Sequence, residues 1–186
     1  MLCFCVRVLS VGAVLGLAGP VAFAQGFYVD GGFTSFSFDG GIDGNDTTEN
    51  VHIRAGYQVN EYFGFEGELV HGVTEQDYSY IREPVGPVTG SFGLDHLVGG
   101  FAVVQLPVTE RINLFARGGA VQGAFEWEIT QLGVTDSGTV VADGFAFGVG
   151  TKLDLTEKLH LRADYSRHTI DSADSEAVSV GIGVKF

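Results

Sequence analysis

The sequence predicts an all-β chain: eight antiparallel strands closed in up-and-down order into a transmembrane β-barrel. Three observations predict it. Apolar and polar residues alternate with period two through most of the chain after residue 25, as in strands with two unlike faces. Glycine is abundant, at 28 of 186 residues, beside 15 Phe and 6 Tyr. Interior glycine costs a helix about 1 kcal/mol relative to alanine, whereas aromatic bulk favours strands. Finally, short and long connections alternate along the chain, the plan of strands that cross a bilayer with tight turns on one side.

The first 24 residues read as a secretory signal. Arg7 is the only charge before Asp30, and residues 8–19 are apolar or small. Pro20 follows, and Ala22-Phe23-Ala24 forms a small-x-small cleavage site before Gln25, completing the three-part signal. The apolar run is shorter than the ~20 residues a spanning helix needs. Cleavage after Ala24 removes Cys3 and Cys5, so the mature barrel domain, 25–186, carries no cysteine and no disulfide framework. The whole chain has 10 Lys+Arg against 23 Asp+Glu, a net charge of −13. Such a balance argues against nucleic acid as a partner, because that binding needs a basic surface.

The mature chain divides into strands near 26–38, 50–59, 62–72, 95–106, 111–127, 139–154, 158–168 and 177–186. The first and fourth are strand-like without a clear parity. In the second, Val51, Ile53, Ala55 and Tyr57 alternate with His52, Arg54, Gly56 and Gln58. The third sets Phe63, Phe65, Gly67 and Leu69 against Gly64, Glu66, Glu68 and Val70. In the fifth, Ile112, Leu114 and Ala116 oppose Asn113, Phe115 and Arg117. The sixth alternates Phe145, Phe147, Val149 and Leu153 with Ala146, Gly148, Gly150 and Lys152. The seventh alternates Leu159, Leu161, Ala163 and Tyr165 with His160, Arg162, Asp164 and Ser166, and the eighth runs Val178, Val180, Ile182, Val184, Phe186 against Ser179, Gly181, Gly183 and Lys185. Asn60-Glu61, Val108-Thr109-Glu110 and Thr156-Glu157 are the short turns. Segments 39–49, 73–94, 128–138 and 169–176 are the long loops, rich in Gly, Ser, Thr, Asp and Glu.

Face assignment decides between a soluble and a membrane barrel. A soluble barrel turns its apolar face inward. Here the polar face carries small residues suited to a tight interior, and the apolar face carries Tyr57, Phe63, Tyr165 and Phe186 near strand ends, as in aromatic girdles. The apolar face is therefore expected to meet lipid. Closure leaves no unpaired edge in hydrocarbon. Parity then places Arg54, Glu66, Glu68, Arg117, Lys152, Arg162 and Asp164 in the lumen as a charge network, since buried charges must pair.

These segments resemble a known family. Residues 177–186, ending in Phe186, resemble the signal by which the outer-membrane assembly machinery recognises its clients. Residues 147–165 are similar to the penultimate hairpin of the barrel domain of outer-membrane protein A and the opacity-type surface proteins. Leu114-Phe-Ala-Arg-Gly-Gly119 is similar to their fifth strand, and residues 56–67 to their second hairpin. The resemblance implies a barrel in the outer membrane of a Gram-negative cell, surrounded by outer-membrane lipid. It also implies a non-enzymatic structural or adhesin-like role, with long loops meeting an extracellular protein or host ligand. Tyr78, Tyr80 and Phe92, among charges in 73–94, are the candidate loop contacts. Lys152 departs from the family, which places an acid there, so the pairing scheme is expected to differ.

Two alternatives follow from the same residues. The charged lumen is a candidate small pore, although eight strands enclose a bore largely filled by side chains. Ser166, His168 and Asp171 form a Ser/His/acid set similar to that of the lipid A deacylases. Their order is Ser-x-His rather than His-x-Ser, and their parity is inward. Asp39, Asp43, Asn45 and Asp46 in the acidic 39–46 segment could offer oxygen ligands to a calcium ion, but lack the EF-hand spacing. His52, His71, His96, His160 and His168 show no metal-binding spacing, and no glycine segment carries a phosphate-loop or dinucleotide fingerprint. Neither cofactor nor metal is expected.

Overall fold

The computed structural model describes residues 26–39, 45–82, 86–170 and 173–186. It contains β1 (Phe27–Asp39), β2 (Asn45–Gln58), β3 (Phe63–Gly72), β4 (Gln76–Arg82), β5 (Gly86–Pro107), β6 (Ile112–Gln131), β7 (Val134–Asp154), β8 (Leu159–Ile170) and β9 (Ala173–Lys185). All pairings are antiparallel between chain neighbours, except that β3 skips β4 to pair with β5 and β1 pairs with β9. Those two pairings close an eight-stranded ring. β4 stands outside the ring and pairs only with residues 86–92 of β5.

The three short turns share one device. Asn60 Oδ1 accepts from the amides of Tyr62 and Phe63, both at 2.9 Å. Thr109 Oγ1 accepts from Arg111 and Ile112 at 3.2 and 3.0 Å, and Thr156 Oγ1 from Lys158 and Leu159 at 3.2 and 2.9 Å. A side-chain oxygen thus holds amides that the ladder has released.

At the opposite end, segments 73–94 and 128–138 differ from the loops that their composition suggests. Gln76–Arg82 and Gly86–Phe92 form a paired hairpin, and β6 continues against β7 as far as Gln131↔Val134. The β6–β7 tip is a two-residue turn, Leu132-Gly133, with φ of 53° and 77°. Two positive φ values match the twist of a hairpin and suit glycine at the second position. Segments 39–49 and 169–176 are likewise mostly ladder, with Asp39↔Asn45 and Ile170↔Ala173 as outermost pairs. The polar composition misled because a sheet standing in water needs no apolar outer face.

The wall has two faces as its alternation requires. Outward residues such as Phe33, Phe147 and Ile182 are exposed, whereas Arg54, Asp164 and Ser179 are buried. Among the described residues no helix is long and apolar enough to cross a membrane; the crossing is made by strands. The bore is not polar throughout. Beside the charged layer, toward the end opposite the short turns, Phe36, Val70, Leu94, Leu97 and Val121 form an apolar cluster. A bulge between Leu94 and His96 shifts the β5–β6 register at this level. Gly183 makes room in the charged layer: a Cβ there would collide with the Asp30 carboxylate and the His160 ring.

Candidate functional site

The charged layer is built from six strands, β1, β2, β3, β6, β8 and β9. Arg54 on β2 donates from Nε to Glu68 on β3 at 2.6 Å, from Nη1 to Asp164 on β8 at 2.7 Å, and from Nη2 to Ser179 on β9 at 3.1 Å. Arg117 on β6 reaches Glu66 and Glu68, each at 2.9 Å. Arg162 on β8 meets Glu66 at 2.5 Å, Asp30 at 3.0 Å and Asp164 at 3.0 Å. Tyr28 donates its hydroxyl to Glu66 at 2.7 Å, and His160 Nε2 lies 2.5 Å from Asp30. The Arg117 and Arg162 guanidinium carbons also sit 4.2 and 4.4 Å from the Phe101 and Phe115 ring centroids, a favourable cation–π arrangement. Each guanidinium fork is thus shared among several acceptors, which is what repays desolvation of buried charge.

Alternation assigns seven of these residues to the bore, and the structure brings six of them into one ion-paired layer. Lys152 is buried too but makes no ion pair among the described residues; its Nζ lies 3.7 Å from the Tyr28 ring centroid. Asp30 and Tyr28 were missed because the first strand has no clear parity, whereas His160 shares the inward parity of Arg162 and Asp164 and was left out of the charge network. Charge balance was the available signal for Asp30. Arg54, Arg117, Lys152 and Arg162 need four carboxylates, and Glu66, Glu68 and Asp164 supply three.

Above this layer, Thr34 Oγ1 lies 2.8 Å from both His52 Nδ1 and Ser179 Oγ. Ser166 and His168 point into the bore, 1% and 2% exposed. Ser166 Oγ and His168 Nδ1 have no hydrogen-bond partner among the described residues. The pair is therefore neither a hydroxyl–base couple nor open to lipid. Asp171, the third member of that set, lies outside the described residues, as do Ala22, Ala24, residues 40–44 and the side chains of Asp39, Asn45 and Asp46. Among the described residues no group of His, Cys, Asp or Glu is arranged to hold a metal ion.

Beyond the apolar cluster, β4 and the outer parts of β5, β6 and β7 form a four-stranded sheet. The register places Tyr78, Tyr80 and Phe92 on one face of it, with Phe125 and Trp127. Tyr78 and Tyr80 stack with centroids 6.4 Å apart, and Phe92 and Phe125 at 5.6 Å. Asp77, Glu126 and Glu128 lie on the other face. A cleft of about 280 Å³ is lined by Glu75, Glu126, Trp127 and Glu128, among others. At the nearby rim Arg167 and Thr169 donate to Asp174 at 2.6 and 2.8 Å. Arg167 and Thr169 hold that exposed carboxyl below its usual range.

At the short-turn end, the Phe27 and Phe186 rings meet at a tilt with centroids 5.7 Å apart, and the Phe186 amide donates to the Phe27 carbonyl at 2.9 Å. With Tyr57, Phe63 and Phe65 they form part of an outward aromatic girdle. Deleting Phe186 is expected to lower the membrane yield of folded barrel several-fold. Normal yield on a heat-modifiable mobility gel would contradict an assembly role.

A closed antiparallel wall, apolar outside and ion-paired inside, defines a transmembrane β-barrel of the outer-membrane class. The chain belongs to the outer membrane protein β-barrel domain family, whose model matches residues 8–186. That family places it in the outer membrane of a Gram-negative cell. No curated protein matches the chain in sequence. Among solved structures it is similar to Neisserial surface protein A, at 20% identity and a TM-score of 0.60, covering 87% of this chain and 98% of that one. It is also similar to Ail, the attachment invasion locus protein of Yersinia pestis, at 18% identity and a TM-score of 0.58, covering 87% and 99%. Ail has also been solved in complex with the heparin analogue sucrose octasulfate. At these identities the likeness is one of fold.

Proposed function

We propose that this chain is a non-enzymatic surface barrel that presents its outer sheet to a partner outside the cell, on a wall stiffened by the ion-paired bore. The supporting observation is strand length. β5, β6 and β7 have 22, 20 and 21 residues, whereas about 9–11 suffice to cross a bilayer. At ~3.3 Å per residue and a tilt of ~45°, a strand of that length rises about 50 Å, roughly twice the apolar band. The surplus is ordered sheet carrying the aromatic face, and stacked aromatics are common anchors of protein contacts.

Charge narrows the partner. Glu49, Glu75, Asp77, Glu126, Glu128, Asp136 and Glu176 lie in these outer parts, against Arg82 and Arg167. A polyanion such as the sulfated sugar held by Ail is repelled by this surface, so the fitting partner is a basic protein. Residues 1–24 act as the export signal, with cleavage after Ala24, and the outer-membrane assembly machinery reads the strand ending in Phe186.

Cells displaying the intact chain are expected to adhere to host-cell monolayers in a manner weakened by salt. Replacing residues 75–92 by a short turn should reduce adhesion about tenfold, an anchor-sized loss, while the barrel keeps its heat-modifiable mobility. Undiminished adhesion by that variant contradicts the proposal. The pore reading has less support, because an ion-paired layer and an apolar cluster both occupy the bore.

A further inference from the structure

The short-turn end of the bore opens into a cavity of about 320 Å³, lined in part by Phe27, Tyr28, Gln105, Asn113 and Lys152. Lys152 is 4% exposed, and among the described residues it makes neither an ion pair nor a hydrogen bond; its Nζ contacts are the rings of Tyr28 at 3.7 Å and Phe115 at 5.7 Å. The three arginines of the bore face four carboxylates, so the charge of Lys152 restores neutrality. Its ammonium has three donors and no acceptor among the described residues, and it is not one of the fully enclosed polar atoms of the bore, so it opens onto the cavity. The neighbouring groups are engaged elsewhere. Lys185 ends on Asp154 at 2.6 Å, and Asp30 is held by His160 at 2.5 Å and Arg162 at 3.0 Å.

We propose that Lys152 anchors a binding site for a small carboxylate, entered from the periplasm. The ammonium donates to a carboxylate oxygen, and the inward Tyr28 ring covers the apolar body of the ligand. The cavity holds roughly ten water molecules' worth of volume, the size of a short-chain acid or the end of a peptide. A monoanion is selected over a phosphate dianion. Lys152 offers the ligand an ammonium rather than an arginine fork, and Glu157, which lines the cavity along with the Asp154-paired Lys185, adds negative charge. The site is at the opposite end of the barrel from the proposed adhesive sheet and does not depend on that reading.

The test is a titration of the full mature barrel, folded in zwitterionic micelles, followed by ¹H–¹⁵N NMR. The probes are N-acetylglycine, inorganic phosphate and sodium chloride at constant ionic strength. The expected result is saturable shifts of the Gln58, Gln105 and Asn113 side-chain amides with N-acetylglycine alone. Lys152→Gln should bind about tenfold more weakly, the worth of one charge-assisted hydrogen bond, and Lys185→Gln should bind nearly as wild type. The wild-type titration stands by itself should Lys152→Gln not fold. Absence of saturable shifts in wild type, equal binding by folded Lys152→Gln, or phosphate or chloride binding as tightly as the carboxylate overturns the proposal.

Discussion

Replacing Arg162 by alanine is expected to destabilise the folded barrel by about 3–5 kcal/mol, the usual loss when one partner leaves a buried ion pair. Arg162 is the most shared cation of the bore, with contacts to Glu66, Asp30 and Asp164 between 2.5 and 3.0 Å. Its removal takes one cation from each of three carboxylates, all 5% exposed or less, and leaves the layer with excess negative charge in a space too narrow to rehydrate it fully. Its guanidinium also leaves the Phe115 ring, 4.4 Å away. Urea unfolding in lipid vesicles, followed by circular dichroism, measures the loss. The pair Arg162→Met with Glu66→Gln should cost less than the two single changes summed, because each single change leaves charge unmatched. A single variant within about 1 kcal/mol of wild type, the level of an exposed pair, would show that the layer is well hydrated.

Val149→Arg is expected to cost about 2–4 kcal/mol, the penalty for a cation on the lipid face at mid-bilayer, while Val141→Arg costs about 0–1 kcal/mol. Both valines lie on β7, both point outward, and they are 59% and 60% exposed. Only the surroundings differ. Val149 sits midway along the β7 stretch paired with β8, whereas Val141 stands beyond the last β8 pair, Gly144↔Ile170. The same vesicle unfolding assay compares them. Equal, small penalties at the two sites would remove the lipid-facing orientation, and with it the membrane crossing.

Legibility in the sequence followed the contrast between faces. Where one face is charged and the other apolar, as in β2, β3 and β8, parity alone placed Arg54, Glu66, Glu68, Arg162 and Asp164. In β1 the contrast fails, because Tyr28 and Phe36 point inward while Phe27 and Phe33 point outward. Asp30 was lost with that parity. β5 is obscured for the same reason: Leu97, Phe101 and Val103 are buried inside, and Val98 and Val104 face outward. The outer sheet was read as loop because its polar residues alternate with Tyr, Phe and Trp in a composition otherwise typical of turns.

The sequence by itself determined the strand class, the two-faced wall, the short-turn end and the inward set of charges. Each of these is a local property, since neighbouring side chains on a strand point to opposite sides whatever the strand pairs with. Only the tertiary structure decided the partners. Arg162 meets Asp30 across 132 positions of sequence and Arg54 meets Asp164 across 110, because β1 closes on β9 and β3 passes over β4 to β5. The same closure fills the outer bore with an apolar cluster and leaves Lys152 without an acceptor among the described residues. Alternation states which way a residue points, but the circumference of the ring sets what it meets.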